Sequence, residues 1–269
     1  MQQSSTSKTL QAAQPGGMTI SLDGDVALVT AATRGIGSEC VRALAAAGAA
    51  VAIGCRDLSA GEAFAASLRT QGHKAMAVPM DLQDTASIEQ AVAFAEAELG
   101  VVTVLVNNAG HSLPATALDV SPDAFDSMFD LNVKAAYFAA QAVAKRMMAA
   151  QRPGAIVNIA SQAGLVALRD ESVYCMTKAA MLHMTRCLAV EWASSNIRVN
   201  AVAPTFVRTD GTKKWLDDSQ FLQSVVDRIP LGRVGSTHEV AEPVVFLASR
   251  AASLITGATL AIDGGWTAV

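Results

Sequence analysis

Short aliphatic and β-branched runs alternate with amphipathic stretches of helical period along almost the whole chain, and that alternation leaves few folds open. Val26 to Thr30, Ala50 to Gly54, Lys74 to Pro79, Val102 to Asn107, Ala155 to Ile159, Ile197 to Ala203 and Thr259 to Ile262 read as strands. Helical segments fall between them, through Ala47, from about Ser59 to Thr70, from Thr85, from Pro122 to Met148 and from Tyr174 to Ser194. Strands separated by helices pair in parallel, because a parallel crossover needs a connection of that length. The expectation is an α/β doubly wound parallel sheet of about seven strands with helices on both faces. Such a sheet places ligands at the carboxyl ends of its strands. The segment 205–236 breaks the rhythm and carries Trp215, Leu216, Phe221 and Leu222 among charges, so it reads as a lid insertion or a surface helical hairpin.

The 269 residues suit one domain, with 51% hydrophobic and 16% charged residues and no composition break in the middle. A formal net charge of -4 gives no electrostatic case for nucleic acid or an anionic membrane. No apolar stretch approaches the ~20 residues of a membrane-spanning helix. Residues 1–17 are polar and small, lack the basic start and apolar run of a secretion signal, and read as a disordered extension before a domain spanning 18–269. Cys40, Cys55, Cys175 and Cys187 show no metal or redox spacing and read as buried or half-buried free thiols, which fits a cytoplasmic protein. The four histidines are scattered, and no metal site is expected.

Two local patterns carry chemistry. After the first strand, Thr30-Ala31-Ala32-Thr33-Arg34-Gly35-Ile36-Gly37 opens directly into a helix. Closely spaced glycines there let backbone approach a pyrophosphate, whose charge the helix N-terminus favours. Farther on, Tyr174 and Lys178 stand four residues apart on a helix, with Ser161 upstream. That spacing puts phenol and ammonium on one face. A nearby positive charge draws a phenol down from its ordinary pKa of about 10 toward the working range of a general acid or base.

Taken together, these residues resemble the short-chain dehydrogenase/reductase family, in its compact branch, from about Leu22 to Trp266. The resemblance implies a Rossmann-like fold and an active centre of Ser161, Tyr174 and Lys178, completed by Asn132 in Leu131-Asn132-Val133-Lys134. It implies cofactor contacts from Thr30, Thr33, Arg34, Gly35, Ile36 and Gly37, from Asp81-Leu82 beside the adenine, and from Asn108, Ala109 and Gly110 of the Asn-Asn-Ala-Gly turn. Pro204, Val207 and Thr209 match the segment along the nicotinamide, and Tyr174 and Lys178 also reach the cofactor. Ala31 stands where the family has its first turn glycine; if the position requires positive φ, alanine costs about 1 kcal/mol. At the end of the second strand, Cys55 replaces the carboxylate that would select NAD, and Arg56 follows it. With Arg34 nearby, two guanidiniums suit a 2′-phosphate, so NADP(H) is expected. The alternative pairs Arg56 with Asp57 at the surface.

In the chemistry so implied, Ser161 hydrogen-bonds the carbonyl oxygen, Tyr174 donates the proton, Lys178 stabilises the phenolate, and Asn132 anchors a water linking Lys178 to solvent. The activity expected is interconversion of a ketone and a secondary alcohol by hydride transfer. A 3-oxoacyl-thioester reductase and a sugar or polyol dehydrogenase are alternatives, and a non-catalytic NADP-binding regulator is an alternative of another class. Candidate pocket walls are His111, Gln162, Leu168, Phe206 and Trp215, with Ser112, Leu113, Leu165 and Phe221 beside them. Arg169-Asp170-Glu171 could supply polar contacts to a sugar acid. Apolar surplus on the helices holding Tyr137 and Leu188 calls for a partner subunit, and the resemblance implies a homotetramer, with Trp266 expected at a second interface.

Overall fold

The computed structural model describes residues 20–269; the expected disordered extension, 1–17, lies outside them. The strands are β1 (Val26–Val29), β2 (Ala50–Cys55), β3 (Ala75–Pro79), β4 (Val104–Asn107), β5 (Gly154–Ile159), β6 (Ile197–Pro204) and β7 (Thr259–Ile262). They form one parallel sheet in the order β3-β2-β1-β4-β5-β6-β7. The order reverses between β1 and β4, which opens a crevice at their carboxyl ends.

Helices α1 (Gly35–Ala46), α2 (Leu58–Arg69), α3 (Thr85–Leu99), α4 (Pro122–Phe129), α5 (Ala135–Ala149), α6 (Ser172–Trp192), α7 (Lys213–Leu216), α8 (Ser219–Val226) and α9 (Thr237–Ala248) complete the chain. Strand residues alternate between two cores because successive side chains point to opposite faces. Val29, Ile53, Val106, Val157 and Val202 pack under α1, α2 and α9, with Leu44, Leu68 and Val244. Leu28, Ala52, Leu105, Ile156 and Val199 pack under α3, α5 and α6, with Ile88, Met147 and Leu188.

Helix starts follow side-chain chemistry. Asp57 accepts from Ala60 N–H at 3.0 Å, Asp84 from Ala86 N–H at 2.9 Å and Ser121 from Ala124 N–H at 3.2 Å, so α2, α3 and α4 begin with satisfied donors. Ser236 and Glu239 form a capping box at α9, a helix the periodicity reading passed over although Ser-Thr-His-Glu announces it. By contrast, α1 and α6 begin with no side-chain cap, and both start at the carboxyl rim of the sheet.

Three sequence expectations change. The single helix expected from Pro122 to Met148 is split by a π-helical turn at Asp130–Lys134, where the wider ring carries Asn132 inward. Trp266 is not an interface anchor. It is buried among Val225 and Ile229 of its own chain, 5.9 Å from Phe206 between ring centroids and with the Arg228 guanidinium 4.3 Å above it. Cys187 is exposed, whereas Cys40 and Cys55 are buried and Cys175 is half-buried. Among the described residues no helix is long and apolar enough to cross a membrane.

Candidate active site

The carboxyl end of β1 turns at Ala31, whose φ of 52° lies in the left-handed region that glycine occupies freely. The turn is held from β4. Asn108 Nδ2 donates to the carbonyls of Thr30 at 3.0 Å and Ala31 at 3.1 Å, while Thr30 Oγ1 accepts from Asn108 and Ala109 N–H at 3.0 and 3.2 Å. Thr30 is buried, so its side chain braces the turn instead of facing a ligand. Asn108 is committed to the same brace. Gly37 is required here, since a Cβ would stand 2.5 Å from Asn108 Nδ2.

The braced turn leaves the N–H groups of Gly35, Ile36 and Gly37 without intrahelical partners and without a side-chain cap. Thr33 is half-buried in the turn, and Thr209 lies across from it, 3.7 Å from where a Gly35 Cβ would stand. Arg34 and Arg56 are both exposed. Neither joins an ion pair among the described residues. The alternative pairing of Arg56 with Asp57 is absent, because Asp57 caps α2. Cys55 turns its thiol into the β2–α2 contact, 2.4 Å from where a Gly61 Cβ would lie, and burial pushes that thiol pKa up. An uncapped helix start flanked by two free guanidiniums, with no acid in the first turn, is a donor set for a phosphorylated dinucleotide.

Around the crevice, exposed Asp81 accepts from Gln83 N–H at 3.0 Å, and Leu82 packs against the core of β3 and α3. On the other side, Pro204 ends β6 and Val207 is buried, bridging to Gly235. Thr205 Oγ1 between them is buried with no partner, a polar atom that a ligand at this wall can satisfy.

The second half of the site is built on α6. Lys178 is buried and donates to the Ile159 carbonyl at 2.8 Å, with Nζ 5.7 Å from the centre of the Tyr174 ring. Burial pushes the ammonium pKa down to about 8. Burial also pushes the Tyr174 phenol up to about 12; the neighbouring Ser161 hydroxyl pulls it down, and the charge of Glu171 pushes it further up. The downward draw expected from Lys178 is not among the causes that set this value; desolvation dominates and penalises phenolate and ammonium alike. Ser161 stands at the end of β5 and accepts from Ala163 N–H at 3.1 Å, opening a tight turn. Gly164 of that turn lies on α6, where a Cβ would be 2.8 Å from the Lys178 carbonyl.

Asn132 is fully buried and serves as a brace. Its Oδ1 accepts from His111 N–H at 2.9 Å, and its Nδ2 donates to His111 O at 2.9 Å and Thr177 Oγ1 at 3.0 Å. Both amide hydrogens are spent, so the water expected at Asn132 could use only the remaining oxygen lone pair. Gly110 lies beside it, with a would-be Cβ 3.3 Å from both Asn132 Oδ1 and Lys178 Nζ. Ala109 is buried behind this turn. Thr177 was missed by sequence reading, although it sits inside the five positions from Tyr174 to Lys178 on α6.

Of the expected pocket walls, Leu168, Phe206 and Phe221 come together with Val225, Ile229 and Trp266. Trp215 is half-buried outside this cluster, with Lys214 Nζ 4.1 Å from its ring centre. His111 places Nε2 3.3 Å from Ser127 Oγ, and burial lowers its pKa. Gln162 is buried beside Ser161 with Oε1 unpartnered. A cavity of about 940 Å³ lies at the opposite, amino end of the sheet, but Arg198 there is already bonded to the carbonyls of Leu247, Ala248, Ser249 and Ile255. The chemistry gathers at the carboxyl rim. Among the described residues no cluster of His, Cys, Asp and Glu could hold a metal.

Known proteins share this layout. Residues 30–267 match the family model described as enoyl-(acyl carrier protein) reductase. The chain is 41% identical to L-xylulose reductase of Mesocricetus auratus over 93% of its own length and 99% of that protein. It is 40% identical to D-threitol dehydrogenase of Mycolicibacterium smegmatis, over 91% of this chain and 94% of the relative. A solved gluconate 5-dehydrogenase from Burkholderia cenocepacia, in complex with NADP and tartrate, superposes with a TM-score of 0.90 at 34% identity, covering 93% and 98% of the two chains. With the glycine turn, the Ser161–Tyr174–Lys178 centre and the seven-stranded order all in place, the chain belongs to the short-chain dehydrogenase/reductase family.

Proposed function

We propose that the protein is an NADP(H)-dependent oxidoreductase that interconverts a ketose-type ketone and the corresponding secondary alcohol of a sugar or polyol. The observation that carries this reading is the convergence of Ser161, Tyr174 and Lys178 on the rim that also holds the uncapped start of α1. Bound NADP(H) supplies or accepts the hydride. Ser161 holds the substrate oxygen by a hydrogen bond. Tyr174 carries the proton given to that oxygen in reduction and taken from it in oxidation, and Lys178 holds its positive charge beside the phenol. Asn132 holds the Gly110–His111 backbone beside Lys178, the side chain that would hold the cofactor ribose.

Relatives named as xylulose, threitol and gluconate enzymes support a hydroxylated substrate over a purely apolar ketone. The unpartnered Gln162 oxygen beside Ser161 supports the same class. The segment 205–236, with α7, α8 and the Phe206–Trp266 contact, acts in this reading as the lid. Free thiols support a reducing, cytoplasmic setting. Exposed Tyr137, Met176 and Val190 on α5 and α6 support assembly as a homotetramer.

The test is absorbance at 340 nm with ketoses, aldonates, aryl ketones and a 3-oxoacyl thioester, each with NADPH and NADH. Turnover of sugars with NADPH is expected. Tyr174→Phe should lower it by about 100-fold or more while NADPH still binds. Preference for the thioester would move the protein to the acyl class. Silence with every pair would favour a cofactor-binding regulator.

A further inference from the structure

Ser112 and Glu171 form a polar pair at the mouth of the site that no catalytic role uses. Ser112 follows Gly110, whose α-carbon faces Lys178 and Asn132. Glu171 immediately precedes α6, three residues before Tyr174. The Ser112 hydroxyl donates to Glu171 Oε2, and Ala115 N–H donates to the Asp170 carbonyl at 2.8 Å. Two links thus tie the loop after β4 to the start of α6 and close one side of the pocket.

Beyond that tie, the carboxylate carries no further structural duty among the described residues. Its side chain does not cap α6, and it joins no ion pair among the described residues. It is half-buried, and an enclosed carboxylate with a single hydroxyl partner has acceptor capacity left over. Its charge reaches the reacting centre, since it raises the Tyr174 pKa. No cation among the described residues forms an ion pair with it: Arg208 and Lys213 pair with Asp217, and Lys178 donates to the Ile159 carbonyl and keeps its charge beside Tyr174. Next to Ser161 in the chain, Gln162 has a buried Oε1 with no partner.

We propose that the Ser112–Glu171 pair determines substrate charge: it accepts hydroxyls of a neutral ketose or polyol beside Tyr174 and turns away substrates bearing a carboxylate there. This deepens, and rests on, the sugar or polyol reading above. A polyol supplies the donors that Glu171 and Gln162 lack, whereas an aldonate adds acceptors and a like charge. Like charges in a desolvated contact are strongly unfavourable.

The experiment compares NADP-linked oxidation of xylitol and xylonate, matched in carbon number, by the whole enzyme. Wild type should favour xylitol in kcat/KM by about tenfold or more. Glu171→Gln should narrow that ratio by about tenfold, mainly through a lower KM for xylonate, with NADPH binding serving as the check on folding. Ser112→Ala keeps the charge and should keep the discrimination while raising KM for xylitol. A wild type that prefers xylonate, or a ratio unmoved by Glu171→Gln, overturns the proposal. If neither sugar is oxidised, the sugar reading fails separately, and NADPH fluorescence then compares threitol with tartrate as ligands of the NADPH-loaded enzyme. Threitol binding tighter, with Glu171→Gln admitting tartrate, still supports the charge rule; tartrate binding tighter to wild type overturns it.

Discussion

The side-chain amide of Asn108 holds the carbonyl of Ala31 at 3.1 Å while Ala31 sits at φ 52°. A residue at the end of β4 therefore stabilises a strained turn at the end of β1, and the strain sits where the dinucleotide is expected. Alanine in the left-handed region costs about 1–2 kcal/mol, partly offset by the freedom glycine would lose on folding. Ala31→Gly should thus raise stability by about 0.5–1 kcal/mol, read as a higher denaturant midpoint with unchanged slope. If NADPH affinity also stays the same, the alanine affects only the fold.

Arg34 and Arg56 are free guanidiniums beside a buried Cys55. Removing a charge-assisted contact to a phosphate costs roughly 1.5–3 kcal/mol. Arg56→Ala should lower the NADPH-over-NADH preference by about 10- to 100-fold, with NADH kinetics little changed. Loss of both activities in parallel would assign Arg56 to the fold instead.

Buried Lys178 has a pKa of about 8, below its ordinary value of 10.5. Between those two pH values the unfolded chain binds the proton that the folded one has released, so stability from this group rises with pH across that window. Below about pH 8 the folded protein bears the full cost of a buried ammonium. Lys178→Met removes that cost, up to roughly 3 kcal/mol, though it also deprives the Ile159 carbonyl of its donor. The stability difference between Lys178→Met and wild type should shift in favour of wild type as pH climbs from about 8 to 10.5. Chemical denaturation at several pH values reads it, and a pH-independent difference would refute the assignment.

Glu171 and desolvation both hold the Tyr174 phenol above its ordinary value. A raised phenol pKa keeps the proton on the folded protein, so alcohol oxidation, which needs the phenolate, improves only as pH rises. Replacing Glu171 by Gln removes a negative charge and lowers that pKa. The rising limb of kcat/KM for oxidation should move to lower pH, while reduction should lose activity sooner as pH rises. An unmoved profile would separate Glu171 from the reacting phenol.

Much of this was legible in the residues. The seven strands and the starts of α2, α3 and α4 follow from period and turn chemistry, the Tyr174–Lys178 pair from spacing, and Ser161 from the family resemblance, whereas α9 went unread. What stayed hidden depended on three-dimensional context. Nothing in Phe129-Asp130-Leu131-Asn132-Val133 marks a π turn, because helical period survives on both sides of it. Thr30 and Asn108 look like ligand contacts in sequence, yet they bond to each other's backbone across a gap of 78 positions. Trp266 looked like a surface anchor because its contacts with Val225 and Ile229 come from a distant insertion. The Tyr174 pKa went the other way because spacing reports the neighbouring charge but not the burial shared by both groups.

The interior of the sheet carries one polar seam. Asn107 Nδ2 donates to Asn158 Oδ1 at 2.9 Å, and Asn158 Nδ2 donates to Thr185 Oγ1 at 2.8 Å, all three residues being buried. Neighbouring positions are Val, Leu, Ile and Ala, which fit almost equally well after a slip of two residues along the strand. The amides do not, since a slip would break the Asn107–Asn158 bond and leave Asn158 Oδ1 without its donor in an apolar layer, beside an Asn107 Oδ1 that already lacks one. They pin β4 to β5 like a key in a slot. Because Asn108 and Ser161 lie just beyond the pinned pair, a two-residue slip would carry the serine roughly 7 Å from its place opposite the turn. The alignment of the turn after β1 with the Ser161 end of β5 is thus set inside the sheet, by two buried amides.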